Sequence, residues 1–335
     1  MTNLGSIVSD FSRGRVLVIG DVMLDRYIRG DANRLSPEAP VPVIDVVEET
    51  NAPGGAGNVA ANIASYGATC TLIGVIGEDY HGQILTEKLR DRHVQFLSVK
   101  DAYTTTTKVR VLGASEGKSS QAICRVDYGD HRVLGDEMKR LLLGAVSSAN
   151  EEYDVIVISD YAKGTLPEDV LSCIIREHIR GKTMIVDPKP QHAGYYKGAS
   201  IITPSIHEAI GMASALGKRY SQERLSDEAR QKVVIEMGKE LSMLLDARLL
   251  ITQGAHGMTL CDADEAHHYP TKAREVYDVT GAGDSVVATI ATALSVGASL
   301  QDAIHLANHA AGIVVGKSGT VSVSCDELLQ SLQER

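Results

Sequence analysis

The sequence lacks any C-x-x-C pair, and its five cysteines, Cys70, Cys124, Cys173, Cys261 and Cys325, are scattered and odd in number. That pattern points away from a disulfide scaffold and toward the reduced thiols of a cytosolic protein. No apolar run is long enough to cross a bilayer, and residues 1–15 contain no signal-peptide core, so a soluble cytoplasmic protein with no membrane partner is expected. An excess of basic charge is also missing. A formal net charge of -10 argues against sequence-independent nucleic-acid binding, which requires many phosphates to be neutralised, and leaves room for a local basic pocket only. Internal repeats and low-complexity tracts are absent. With 335 residues the chain can bury an adequate core as one large domain with an excursion, or as two ordinary domains.

Short β-branched runs at 16–19, 155–158, 184–186 and 249–251 show no polar alternation, as expected of strands buried on both faces of a parallel sheet. Helical periodicity separates most of them, at 58–66, 82–92, 168–180 and 227–245. The alternation predicts a single α/β domain over 1–335, with a doubly wound, mostly parallel sheet flanked by helices. Residues 41–49, 104–112 and 121–128 instead read as strands with no helix between them. A small β-sheet lid built from about 26–50 and 100–129 is expected, against the alternative of an ordinary edge hairpin.

Ligands of such a sheet gather at the carboxyl ends of its strands. That rule selects Asp21 and Asp25, Asp160 and Lys163, Asp187 and Lys189, and Thr252 with Gly254. A further motif, Thr280-Gly281-Ala282-Gly283-Asp284, opens an apolar helix. Its glycines let successive amides turn toward an anion at the positive helix end, and Asp284 beside that anion could take the proton of an attacking hydroxyl. A tight turn with Asp284 as N-cap accounts for the same residues. Pro53-Gly54-Gly55-Ala56-Gly57-Asn58 likewise reads as a glycine turn entering a helix, where Asn58 suits a sugar hydroxyl or a structural cap.

Taken in order, Gly20-Asp21-Val22-Met23-Leu24-Asp25, Gly54-Gly55-Ala56-Gly57-Asn58, Thr203-Pro204-Ser205-Ile206-His207-Glu208, Thr252-Gln253-Gly254 and Thr280-Gly281-Ala282-Gly283-Asp284 make the chain similar to the ribokinase-like (PfkB) carbohydrate kinases. The resemblance runs from Arg15 to the C-terminal helix. Ser159-Asp160-Tyr161-Ala162-Lys163-Gly164 and Arg34-Leu35-Ser36-Pro37-Glu38-Ala39-Pro40 narrow it to the branch acting on D-glycero-β-D-manno-heptose 7-phosphate, on the path to ADP-heptose and lipopolysaccharide.

That resemblance implies ATP as co-substrate, Mg²⁺, K⁺ in some members, and a homodimer joined through the lid. It implies that Asp284 is the general base, with the amides of Gly281, Ala282 and Gly283 holding charge on the transferring phosphoryl group. The helix dipole is expected to keep Asp284 ionised and weakly basic. Asp25, Gly54, Gly55 and Asn58 match sugar contacts; Thr252, Gly254, Gly257 and Asn308 match the nucleotide site; Asp278 and Thr280 match a monovalent-cation site. Glu208 would hold Mg²⁺ through water. Where the family has an asparagine, this chain has Ser205, which raises the prospect of a divergent kinase or a non-catalytic nucleotide or sugar sensor. A phosphorylated sugar would need cations away from Asp284. Lys108, Arg110, Arg125, Lys163 and Lys189 are the candidates, although basic residues on an edge strand also guard against aggregation. His305 and His309 lie four apart with no third ligand nearby in sequence and are taken as packing or surface residues.

Overall fold

The computed structural model describes residues 4–114, 121–129, 133–149, 152–178, 181–221, 226–272, 277, 279–317 and 321–333. Strand β1 (Arg15–Gly20) pairs in parallel with β4 (Thr69–Gly77) on one side and β8 (Val155–Ser159) on the other. Val16 and Val18 pack into one core, whereas Leu17 and Ile19 pack into a second core on the opposite face. Burial on both faces is why the strand carries no polar alternation. Outward from β4 lies β5 (Gln95–Asp101); outward from β8 lie β9 (Thr183–Asp187), β10 (Ile201–Ile202) and β11 (Arg248–Thr252), all parallel. An antiparallel hairpin, β12 (Met258–Cys261) and β13 (Ala266–Tyr269), completes a sheet of nine strands among the described residues.

Helices cover both faces. The first core takes side chains from α1 (Leu4–Asp10), α2 (Ala56–Ser65), α3 (Tyr80–Asp91), α8 (Ala282–Ser295), α9 (Leu300–Val315) and α10 (Cys325–Gln333). The second takes them from α4 (Asp136–Ala149), α5 (Glu168–His178), α6 (Ile206–Ala215) and α7 (Asp227–Leu245). Each fully buried valine, leucine or isoleucine in these layers stabilises the fold by roughly 1.5–3 kcal/mol relative to exposure. Helical periodicity located α2, α3 and α7 to within two residues at each end, and the start of α5, whose expected end at 180 lies outside the described residues; α3 and α7 bury one stripe, whereas α2 is buried throughout Ala56–Ile63.

Strand order reverses between β1 and β8, since the chain builds outward through β4 and β5 and then through β8 to β11. In a doubly wound sheet that reversal opens a crevice at the carboxyl ends of the strands. Beside it stands the smaller sheet, in the order β3 (Pro42–Gly55), β2 (Val22–Leu35), β6 (Thr107–Ala114) and β7 (Gln121–Tyr128). Three of these strands match the expected lid. The second strand, β2, was not expected, because its polar outer half, with Arg29, Asp31, Asn33 and Arg34, has no alternating pattern. Its pairing with β3 and β6 on either side supplies what its composition does not. The lid also reaches further into the core than 26–50, since β2 starts at Val22 and β3 ends at Gly55. Pro53, Gly54 and Gly55 are therefore not a free turn: they pair with Leu24, Met23 and Val22, and α2 follows directly.

Candidate active site

At the carboxyl end of β1, the buried carboxylate of Asp21 accepts the backbone N–H groups of Tyr161, Lys163 and Thr165 at 2.8, 3.0 and 3.0 Å. Burial, then the nearby charge of Asp160, raises it above the ordinary carboxylate range. Asp160 accepts from Tyr196 Oη and from the amide of Ala162, both at 2.7 Å, and pairs with His192 Nδ1 at 2.7 Å. The strand-end rule selected both aspartates as ligand candidates; the structure corrects this, because their oxygens are spent fixing the loop after β8. That loop presents Tyr161 and Lys163 to the crevice.

Asp284 sits in the first turn of α8, behind Gly281, whose φ of 78° is open to glycine at little cost. Its Oδ2 accepts from Asn58 Nδ2 at 2.6 Å and its Oδ1 from Tyr161 Oη at 2.9 Å. Asn58 is itself oriented: its Oδ1 accepts from Asn62 Nδ2 at 3.3 Å, and Asn62 Oδ1 accepts from Ser285 Oγ at 3.2 Å. Burial raises Asp284 above the ordinary carboxylate range and outweighs the donors from Asn58 and Tyr161. The dipole-based expectation of a weakly basic Asp284 is thereby corrected. Desolvation penalises the charged form, which makes the carboxylate a better proton acceptor. Among the described residues, Asn58 and Tyr161 donate side-chain hydrogen bonds to Asp284; sequence selected the first and missed the second.

On the lid side, Asp25 Oδ1 accepts from Arg110 Nη1 at 2.5 Å. A β-carbon on Gly54 would come within 2.5 Å of Asp25 Oδ2, so glycine there makes room for the carboxylate. Gly55 has φ of 57°, and a side chain on it would run into the carbonyl of Asp21. Burial disfavours the charge on Arg110, yet Asp25 more than offsets this and raises its pKa. Lys108, paired across the ladder with Asp25, has its pKa lowered by burial and by Arg110, Lys163 and Arg125, with Asp25 opposing. Lys108, Arg110, Arg125 and Lys163 thus converge into one basic cluster. Arg125 is the outermost, exposed and forked onto Asp127 at 2.9 Å through two nitrogens.

Lys189 Nζ lies 5.0 Å from the centre of the Tyr161 ring and is bonded to Glu208 Oε1 at 2.5 Å. It is separate from the lid cations. Burial works against both charges, but the pair holds Lys189 raised and Glu208 lowered. Ser205 is the N-cap of α6: its Oγ accepts from Glu208 N at 3.3 Å, and Glu208 Oε2 accepts from Ser205 N at 3.0 Å and Ser205 Oγ at 2.8 Å. This reciprocal capping box gives Ser205 a structural role that the sequence reading did not assign. Asp187, at the end of β9, is raised well above the ordinary carboxylate range by burial and then by Asp284 and Glu208. Carboxylates crowded in this way fit a hydrated Mg²⁺, whose charge would relieve their repulsion; among the described residues no three metal-binding side chains converge to hold an ion directly.

Beyond α8 opens a largely apolar cleft of about 280 Å³, walled by Thr252, Gly254, Gly257, Ala282, Gly283 and Asn308 among others. A β-carbon on Gly254 or Gly283 would meet no protein atom within 4 Å, whereas one on Gly257 would strike the carbonyl of Tyr269. Positive φ favours glycine at both Gly254 and Gly257, Gly257 is also sterically closed, and Gly254 and Gly283 leave open space beside the backbone. Asn308 Nδ2 donates to Pro270 O at 2.6 Å and holds the segment that follows β13. An apolar slot that ends at a helix N-terminus can take a flat base at one end and phosphates at the other. Thr280 lies at the mouth of α8; Asp278 lies outside the described residues. His305 packs edge-on to Tyr269, with ring centres 5.1 Å apart, and His309 Nδ1 meets Ser331 Oγ at 2.8 Å.

With this geometry in view, comparison with known proteins decides the family. A model described as pfkB family carbohydrate kinase matches residues 13–327. The chain belongs to the pfkB family. It is a carbohydrate kinase. Among relatives of this pfkB kinase, Bifunctional protein HldE of Vibrio cholerae serotype O1 is 41% identical over 330 residues, covering 97% of this chain and 65% of the relative. Bifunctional protein HldE of Aeromonas hydrophila is 42% identical over 327 residues, covering 96% and 64%. The chain therefore spans just under two thirds of the length of these relatives. Similar solved structures share the fold at low identity. Phosphofructokinase-2 from Escherichia coli in complex with potassium has a TM-score of 0.76 at 20% identity, covering 95% of this chain and 97% of that one. Arabidopsis thaliana ribokinase complexed with ribose and ATP has a TM-score of 0.68 at 18% identity, covering 96% and 99%.

Proposed function

We propose that this pfkB kinase transfers the γ-phosphoryl group of ATP to the anomeric hydroxyl of D-glycero-β-D-manno-heptose 7-phosphate, giving the 1,7-bisphosphate and ADP. The observation that carries the reading is the position of Asp284, between a basic, lid-covered compartment and an apolar cleft at the start of α8. A phosphorylated acceptor fits the first compartment and a nucleotide fits the second. The names of the HldE relatives support this branch of the family.

In the proposed reaction the acceptor hydroxyl gives its proton to Asp284, its oxygen forms the new bond to phosphorus, and the bond to the β-γ bridging oxygen breaks to release ADP. Asp25 and Asn58 orient the sugar. Lys108, Arg110 and Lys163, with Arg125 at the rim, attract its remote phosphate. The amides of Gly281 and Gly283 would face the charge on the transferring group, whereas the expected contribution of Ala282 is corrected, because its N–H donates to Val279 O at 3.3 Å. Glu208, through water, would hold a magnesium ion that neutralises triphosphate charge, with Thr252, Gly254 and Gly257 along the nucleotide. Asp278 and Thr280 would contribute to a potassium site. Lys189, bonded to Glu208, belongs with the phosphates between the two compartments. A homodimer formed through the lid is part of the same proposal.

The test presents ATP with a panel of sugars and sugar 7-, 6- and 5-phosphates and follows ADP. Fastest turnover with the heptose 7-phosphate is expected. Faster turnover with another sugar replaces the acceptor. Binding of ATP and sugar with no ADP release in any arm favours a sensor, a reading supported by the engagement of both Glu208 oxygens by Lys189 and Ser205.

A further inference from the structure

Asp284 has two partners in different parts of the chain, and the two differ chemically. Asn58 Nδ2 can only donate, and its orientation is fixed by the bond that Asn58 Oδ1 accepts from Asn62. Tyr161 Oη can donate or accept. Its backbone is pinned, because the Tyr161 N–H is one of the three held by Asp21. Its ring is pinned as well: the Lys108 ammonium lies 5.5 Å from the ring centre and the Lys189 ammonium 5.0 Å from it. A tyrosine held through backbone, ring and hydroxyl in a reaction crevice is over-determined for a packing residue.

We propose that Tyr161 is the positioning residue for the base: its hydroxyl fixes the Asp284 carboxylate toward the acceptor hydroxyl, and its ring sets the spacing between Lys108 on the lid and Lys189 beside Glu208. This rests on the assignment of Asp284 as base. The hydroxyl stays protonated, since burial and then the charge of Asp284 push it well above the ordinary phenol range, so it is a permanent donor to the resting carboxylate. When Asp284 takes the acceptor's proton on Oδ1, the Tyr161 hydroxyl can turn and accept it, while Oδ2 goes on accepting from Asn58; Tyr161 is thus the partner that can serve either as donor or as acceptor. The ring attracts both ammonium groups through its face and separates the cations of the acceptor compartment from the Lys189–Glu208 pair. One side chain thereby ties the base to the two compartments whose substrates must meet.

The test is Tyr161→Phe, which keeps the ring and removes the hydroxyl. Other groups facing Asp284 are Asp25 on β2, Lys108 on β6 and Asp187 at the end of β9, and the substitution leaves all three in place. Loss of a donor to the carboxylate moves the acid limb of the kcat–pH profile to higher pH by roughly one unit, and misorientation lowers plateau kcat roughly ten-fold, while KM for ATP changes less than about two-fold. Tyr161→Leu, which removes the ring too, should in addition raise KM for the sugar phosphate. A kcat–pH profile of Tyr161→Phe that superimposes on wild type overturns the proposal. Carboxyl ¹³C NMR of labelled aspartate, with Asp284→Asn assigning the resonance, reads the same bond without turnover. An Asp284 titration unmoved by Tyr161→Phe overturns the positioning role even in an active kinase. An upward shift in a protein that phosphorylates no sugar keeps the hydrogen bond and its control of Asp284, and removes the kinase reading alone.

Discussion

The Nδ2 of Asn58 donates to Oδ2 of Asp284 across 2.6 Å, although the residues stand 226 positions apart. Each lies near the start of a helix, Asn58 in α2 and Asp284 in α8, and both helices pack on the same face of the sheet. The two glycine motifs thus meet at one carboxylate. Asp284→Asn removes the proton acceptor while keeping nearly the same shape. Phosphoryl transfer should fall by at least about 10²-fold, the scale of general-base catalysis, with binding of ATP and sugar retained. Turnover beside calorimetric binding checks this, and near wild-type turnover removes Asp284 from the base role.

Gly54→Ala tests the lid side. Its new methyl group would overlap the Asp25 carboxylate and disturb the Asp25–Arg110 pair. KM for the acceptor should rise roughly ten-fold or more while KM for ATP stays within about two-fold, because Gly54 lies on β3, away from the cleft. Equal changes in both constants would show that Asp25 does not serve the acceptor alone.

Ser205 separates stability from metal dependence. Ser205→Ala removes the N-cap of α6 and should cost about 1 kcal/mol in unfolding free energy, whereas Ser205→Asn keeps a capping side chain and should lie within a few tenths of wild type. The asparagine variant should also tighten magnesium dependence. Superimposable magnesium titrations for Ser205→Asn and wild type would discard that second expectation, and chemical denaturation decides the first.

The His192–Asp160 pair gives stability a pH dependence of definite sign. The hydrogen bond to Asp160 raises the folded-state pKa of His192 above its ordinary value of 6.5, with burial opposing. A raised pKa means that the folded state binds the proton more tightly than the unfolded one. The contribution is complete below about pH 6.5 and disappears as pH rises through the raised value. Against His192→Gln, wild type should show its largest Tm advantage at pH 5.5–6 and a smaller one near pH 9. An advantage that grows with pH would reverse the assignment.

The lid exposes apolar side chains on its outer strands, with Val46 and Val47 on β3 59% and 74% exposed and Ile123 and Val126 on β7 40% and 42% exposed. Apolar surface of this kind on a small sheet favours self-association. Sedimentation equilibrium should give a dimer, and Val47→Lys should shift it toward monomer while leaving the main fold intact by circular dichroism. A wild-type monomer at micromolar concentration would exclude the dimer.

Much of this was legible in the residues themselves. The unalternating runs at β1, β8, β9 and β11 fitted strands buried on two faces, and apolar residues at three- and four-residue intervals marked α2, α3, α5 and α7. Glycines before Asp284 marked the exposed start of α8, because backbone conformation is local. Other features were not local. Strand β2 owes its existence to hydrogen bonds from β3 and β6, which its polar composition does not announce. Asp21 and Asp160 stood where ligands gather, yet distant loop amides and aromatic hydroxyls consume them. Burial, a property of the whole fold, reversed the expected weak basicity of Asp284. Tyr161 became its partner only when β8 was laid against β1 and the loop beyond was tied to Asp21. Sequence set the local conformations and the chemistry available; the packing of distant segments decided which groups meet, which lose water and therefore which can react.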